Sequence, residues 1–455
     1  VDYDVVAGVG PNRVLVVGAG RSGIAVAKFC VARGAQVTVT DKRTGAELHA
    51  ARLELGDRVT WELGKHITQS FLAADLIVVS PGVPDLPQLK AARKKQVRIV
   101  GEIELGGRFI RAPLIGITGT NGKSTVTALA GEMAAQTQKP TFVGGNLGTP
   151  LITCVDTPAA TERGLVVVEL SSFQLETVDA LHPRAAAFLN LTPDHLDRYA
   201  SVEEYGNAKL RLARNLGPDD VMVVNADDDF FARAGARRKQ QTRVLTFSTR
   251  TQKADAFVDG AELVALGERY PIGELNLIGR HNLGNALAAI LLLRGPDLAD
   301  APTVRAALRS FRPLPHRMQL VAAKQGVKFY DDSKATNVDS VVAGLDGFPM
   351  PFVLIAGGRD KGGSYAPLVR ALKDNRCRAV VLIGEAADKI DAAIAAAVPT
   401  VRASSMERAV SLAIARAQRG DAVVLSPACS SYDMFNNYEH RGEVFKECVE
   451  ALTTS

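Results

Sequence analysis

Gly119-Thr-Asn-Gly-Lys-Ser-Thr125 is the stretch whose reading decides the fold. It follows Leu114-Ile-Gly-Ile117, a short apolar run of buried-strand type, and precedes a helix-like stretch from Ser124. Strand, glycine-rich turn and helix in that order aim backbone N–H groups and a helix N-terminus at one point, as a phosphate requires. Lys123 can then pair with β- and γ-phosphate oxygens, and the Ser124 hydroxyl can reach a magnesium ion. The general phosphate-binding loop has four residues between its glycines, whereas only two separate Gly119 from Gly122. That shortening argues against an ordinary kinase or GTPase. A tight turn that happens to end in Lys-Ser-Thr is the bland alternative, and the flanking strand and helix speak against it.

Downstream, Leu165-Val-Val-Val168, Ala186-Ala-Phe-Leu189 and Val221-Met-Val-Val224 read as strands of the same sheet, and His281 to Leu293 as a helix. Glu169 ends one of those strands, where a magnesium ligand beside a phosphate loop belongs. His195, in Asn190-Leu-Thr-Pro-Asp-His-Leu-Asp197, could face the same crevice, although a lone histidine is usually structural. Lys209, taken by itself, reads as a surface lysine on a helix.

Upstream, Arg13-Val-Leu-Val-Val17 reads as a strand, followed by Gly18-Ala-Gly-Arg-Ser-Gly23, a helix ending near Gly34, and a second strand, Val37-Thr-Val-Thr40, closed by Asp41. This is a βαβ unit with a dinucleotide fingerprint, and Leu76 to Ser80 continues it. A nicotinamide dinucleotide and a nucleotide-sugar diphosphate satisfy the same physics here. Arg43 is a natural partner for a base or phosphate, or else a solvated turn residue. Beyond the linker Phe311-Arg-Pro-Leu-Pro315 a third array begins. Its strand-like runs start at Phe352, Ala379 and Ala422. Three polar loops, Asp331–Asn337, Gly357–Gly363 and Ser426–Asp433, would share one binding edge.

The 455-residue length suits about three domains. The 54 basic and 49 acidic residues are spread without a stripe or tail, which disfavours a nucleic-acid binder. Five scattered cysteines show no metal-ligand spacing, and no apolar run reaches membrane-spanning length. A soluble cytoplasmic protein is expected, with neither a nucleic-acid partner nor a membrane span.

From Gly18 to Arg441 the chain resembles the Mur ligase family, and within it the members that add D-glutamate to a nucleotide-linked muramoyl peptide. The shortened loop is similar to that family's ATP signature. The resemblance implies an α/β fold in three domains. These are a Rossmann-like N-terminal domain (1–106), a central domain carrying the phosphate loop (107–313) and a dinucleotide-binding-like C-terminal domain (314–455). It implies a monomer that forms an amide between UDP-N-acetylmuramoyl-L-alanine and D-glutamate through an acyl phosphate, with ATP and two Mg2+ ions. Gly119, Thr120, Asn121, Gly122, Lys123, Ser124 and Thr125 would then hold ATP, together with His281, Asn282, Arg317 and Asp332. Ser124, Glu169, His195 and Lys209 would serve the metals. Lys209 would be carbamylated by CO2, which overturns its surface reading. Gly18, Arg21, Ser22, Asp41, Lys42 and Arg43 would bind the UDP moiety and Asn146 the muramoyl part. Lys334 and Thr336 would also contact substrate, and Lys361, Ser431 and Tyr438 the amino acid, although Tyr438 stands where that branch often has phenylalanine. The three ligands fall to three domains, so domain closure is expected. Folylpolyglutamate synthase shares the loop and metal residues, but the 110-odd residues before the loop speak against it. A relative adding another amino acid, an NAD-dependent dehydrogenase and a non-catalytic nucleotide-binding module stay as alternatives.

Overall fold

The computed structural model describes residues 12–146, 148–196, 198–277, 279–360, 362–374 and 376–452. Five parallel strands form the first sheet: β1 (Arg13–Val17), β2 (Gln36–Asp41), β3 (Thr60–Leu63), β4 (Leu76–Val79) and β5 (Arg98–Gly101), in the order β3-β2-β1-β4-β5. The order reverses between β1 and β4, and at that switch point a crevice opens beyond the carboxyl ends of the strands.

The second sheet begins with β6 (Leu114–Thr118), β7 (Thr141–Gly145), β8 (Leu165–Glu169), β9 (Ala185–Phe188), β10 (Val221–Asn225) and β11 (Arg243–Ser248). It continues through β12 (Ala256–Asp259), β13 (Glu262–Ala265) and β14 (Glu268–Pro271), in the order β14-β13-β12-β11-β10-β9-β6-β8-β7. Here β6 lies between β9 and β8, so three strand ends converge on the turn at Gly119. The third sheet comprises β15 (Gln319–Lys324), β16 (Val327–Asp331), β17 (Phe352–Gly357), β18 (Cys377–Ile383), β19 (Thr400–Arg402) and β20 (Ala422–Leu425). Its order is β15-β16-β20-β17-β18-β19, parallel except for β15 against β16.

The strands read as continuous Val/Ile/Leu/Ala runs because helices cover both faces of the sheets. In β6, β8 and β17 every residue is buried. The helix Arg280–Arg294 is apolar all round from Ala286 to Leu293, and those eight residues are fully buried. The strands expected from sequence agree with the observed ones to within about two residues; β3, β5, β7, β11 to β15 and β19 were not expected.

The chain divides into two compact units. The first runs to Asp259 and adds Leu263–Tyr270 and Ala286–Leu308; the second takes Gly260–Glu262, Pro271–Asn285 and the chain from Arg309 onward. The five-stranded sheet lies in the first unit and the six-stranded sheet in the second. No helix among the described residues is long and apolar enough to cross a membrane.

Candidate active site

Two glycines shape the loop after β6. Gly119 has φ +153°, and a Cβ there would meet the Leu189 Cβ at 2.9 Å; Gly122 caps the helix Lys123–Gln136 in the left-handed region at φ +84°. Asn190, just past β9, clamps the loop. Its carbonyl accepts from the Thr120 N–H at 2.8 Å, its Oδ1 from the Asn121 N–H at 2.7 Å, and its Nδ2 donates to the Asn121 carbonyl at 3.0 Å. Held this way, the turn points the first amides of a fourteen-residue helix, which lack intrahelical acceptors, at one spot. The Lys123 ammonium folds back to donate to the Gly119 and Thr120 carbonyls at 2.9 and 2.8 Å.

Lys209 is buried. Its Nζ donates to that same Gly119 carbonyl at 2.8 Å and lies 4.2 Å from the Tyr205 ring centroid. Burial first, and then the neighbouring Lys123 charge, hold this amine well below the ordinary lysine range. Glu169 is buried at the end of β8. Its Oε1 accepts from Asn146 Nδ2 at 2.6 Å, while its buried Oε2 has no hydrogen-bond partner among the described residues. His195 adopts φ +55°, a conformation unusual outside glycine, and its ring packs 4.8 Å from Phe173 and 5.9 Å from Tyr205. Tyr205 thus lies between His195 and Lys209.

Among the described residues no three His, Cys, Asp or Glu side chains converge as a cation cage. A nucleotide-site Mg2+ is commonly held by one or two carboxylates together with phosphate oxygens and water. The orphaned Glu169 oxygen, at the mouth of a phosphate loop, fits that arrangement.

The switch-point crevice of the first sheet is a cavity of about 430 Å³. Gly18, Arg21, Ser22, Asp41, Lys42, Arg43 and Asn146 all line it. His66 and residues of the Ser80–Leu86 loop line it too. Asp41 accepts from the Ala19 N–H at 2.7 Å and is gripped by Arg43 through Nε at 3.0 Å and Nη2 at 2.7 Å. Burial alone would raise its pKa, but the Arg43 and Ala19 hydrogen bonds outweigh that and hold it at about 2. An acid committed in this way is poorly placed to take a ribose diol, which weakens the dinucleotide reading.

In the second unit the loops after β16, β17 and β20 meet around Arg441, which is fully buried. Its Nε donates to Ser333 Oγ at 2.9 Å, Nη2 to the Ser333 carbonyl at 2.8 Å and Nη1 to the Cys429 carbonyl at 3.1 Å. Lys334 Nζ stacks 3.5 Å from the Tyr438 ring centroid, and Ser333 Oγ donates to the Tyr438 carbonyl at 2.8 Å. The Thr336 N–H donates to the Lys334 carbonyl, and Ser431 is buried in the β20 loop. Asp332 accepts from Ser426 Oγ at 2.6 Å, and burial raises it to about 7. His281 is pushed down to about 4, mainly by burial, with Arg317 adding to the effect; its Nδ1 is buried without a partner among the described residues. The Asn282 Oδ1 accepts from Asn285. Lys361 lies outside the described residues.

Three family profiles match in order along the chain. They are the Mur ligase MurD-like N-terminal domain at 12–101, the Mur ligase middle domain at 117–293 and the Mur ligase glutamate ligase domain at 316–429. The UDP-N-acetylmuramoylalanine–D-glutamate ligase of Geotalea uraniireducens is 46% identical over 450 residues, covering 97% of this chain and 98% of that protein. The chain belongs to the Mur ligase family. A ligase of the same name from Acidobacterium capsulatum is 45% identical over 452 residues, covering 97% of this chain and 96% of that one. Among solved structures, the UDP-N-acetylmuramate–alanine ligase of Thermotoga maritima superposes with TM-score 0.63 at 20% identity, covering 97% of this chain and 100% of that one. The MurF ligase of the same organism, solved with ADP, superposes at 0.62 and 16% identity, over 99% of each chain. These two likenesses speak for the three-domain Mur ligase fold.

Sequence reasoning missed Asn190, Tyr205 and Arg441. Asn190 opens the stretch that carries His195, just past a strand end, and Tyr205 lies one helical turn before Lys209; those placements are the available signal. Arg441 had none, because its partners lie 12 and 108 residues away.

Proposed function

We propose that this chain joins UDP-N-acetylmuramoyl-L-alanine to D-glutamate at the expense of ATP. The observation that carries this reading is the shortened loop at Gly119–Thr125, with buried Lys209 and the orphaned Glu169 oxygen around it. The acceptor's carboxylate attacks the γ-phosphorus of ATP, and ADP leaves. The amine of D-glutamate then attacks the acyl phosphate, and phosphate departs in place of an oxide that could not leave. Lys123 and the helix amides screen the two anions that must approach in the first step. Two magnesium ions, one held by Ser124 and Glu169 and the other by His195 and carbamylated Lys209, would supply further positive charge.

In this reading Lys209 acts as a carbamate. Its neutral Nζ attacks the carbon of CO2, an N–C bond forms and a proton is lost, so a buried amine becomes a buried anion. The low proton affinity of Lys209 supports the step, since only an unprotonated amine reacts. The UDP moiety occupies the cavity lined by Gly18, Arg21, Ser22, Asp41, Lys42 and Arg43, and Asn146 takes the muramoyl part. His281, Asn282, Arg317 and Asp332 also serve ATP; Lys334 and Thr336 contact substrate, and Lys361, Ser431 and Tyr438 serve the incoming amino acid. Domain boundaries are placed at 106/107 and 313/314. A monomer suffices, and the free thiols suit the reducing cytoplasm. Phosphate release from ATP tests the reading: it should require both acceptor and D-glutamate, and release indifferent to the acceptor would overturn it.

A further inference from the structure

One charged cluster in the first unit has no part in the chemistry above. Arg198 stands three residues beyond His195. Its Nε donates to Glu176 Oε1 at 3.0 Å and its Nη2 to Oε2 at 2.5 Å, and the Tyr199 hydroxyl donates to the same Oε1 at 2.6 Å. The guanidinium carbon lies 4.6 Å from the Phe173 ring centroid, and that ring packs 4.8 Å from the His195 ring. On its other side Arg198 Nη1 reaches the Val83 carbonyl at 3.4 Å, in the Ser80–Leu86 loop that walls the 430 Å³ cavity. The Arg198 and Tyr199 N–H groups both donate to the His195 carbonyl, closing the turn that holds His195 at positive φ.

We infer that Arg198 is a positioning residue that sets the Ser80–Leu86 wall of the nucleotide-substrate cavity and the His195 ring together. The inference rests on the function proposed above. The chemistry supports it. Arginine's rigid fork satisfies one carboxylate with two donors and still presents a third donor and a π-face, which a lysine cannot do. Glu176 fixes the guanidinium plane, Phe173 transmits that plane to His195, and the Val83 bond ties the same plane to the cavity wall. Loss of the side chain therefore affects binding of the muramoyl nucleotide and use of the metal, while leaving ATP binding at the Gly119–Thr125 loop intact.

The test is steady-state phosphate release by the full chain, with UDP-N-acetylmuramoyl-L-alanine, ATP and Mg2+ each varied in turn. Arg198→Ala is expected to raise KM for the muramoyl nucleotide about tenfold, to lower kcat about tenfold and to raise the Mg2+ needed for half-maximal rate. KM for ATP should stay within about twofold. Arg198→Lys should fall between wild type and alanine. Phe173→Leu cuts only the arm toward His195, so it should lower kcat and raise the Mg2+ requirement at unchanged KM for the muramoyl nucleotide, and it decides the matter if Arg198→Ala does not fold. Unchanged KM and Mg2+ dependence in Arg198→Ala, or a loss matching only the unfolded fraction seen by circular dichroism, overturns the inference. So does a Phe173→Leu enzyme that behaves as wild type. Wild-type protein with no turnover would instead remove the proposed function, and the inference with it.

Discussion

The two units build their polar sites by opposite means. In the first, the phosphate site is local. Seven consecutive residues make the turn, the helix behind them supplies the dipole, and one asparagine clamps the loop. In the second, two loops far apart in sequence, after β16 and β20, are tied by one buried arginine, so the site exists only once the six-stranded sheet has formed. A local site tolerates little change in chemistry and more change in its surroundings; an assembled site is vulnerable at its tie.

The sharpest way to break that contrast is Lys123→Ala, which removes charge without touching the clamp. Turnover should fall by 10²–10³ or more, while the melting temperature stays near that of wild type; near-normal turnover would end the account of the loop. Lys209→Ala comes next. It should be inactive, partly restored by a short-chain carboxylic acid, and wild-type activity at moderately acid pH should depend on bicarbonate. An unmodified Lys209 in fully active protein, seen by mass spectrometry, would end the carbamate. Arg441→Ala attacks the tie in the second unit. It leaves the Ser333 and Cys429 carbonyls without their donor, at a cost of about 3 kcal/mol by denaturant titration, and should raise KM for D-glutamate more than KM for ATP. Arg441→Lys should rescue little, since a point donor cannot span three oxygens.

The smallest expected effect concerns pH. Glu102 has one carboxylate oxygen bonded to the Ile152 N–H, while the other is buried without a partner among the described residues; burial raises the group from 4.5 to about 7. The folded chain keeps this proton where the unfolded chain has lost it, so stability falls as pH rises from about 4.5 to about 7. The linkage is on the order of 3 kcal/mol at most. Glu102→Gln should flatten that part of the melting-temperature profile, and an unchanged slope would count against it.

The same contrast explains what could be read in the sequence. The βαβ starts, the Gly119–Thr125 turn and the placement of Glu169 depend on neighbours in sequence, and period and glycine spacing report them. The burial of Lys209 did not follow from its helix, because Gly119 lies 90 residues away. Asp41 was legible as an acid at a strand end, but its commitment to Arg43 needed the geometry of the turn. The Arg441 tie was invisible for the same reason on a larger scale.

The most direct measurement is phosphate release by the purified chain with ATP, Mg2+, UDP-N-acetylmuramoyl-L-alanine and D-glutamate. The account predicts release that needs both the muramoyl nucleotide and D-glutamate, and that fails with L-glutamate. Release with no acceptor present, or none with any amino acid, would contradict it.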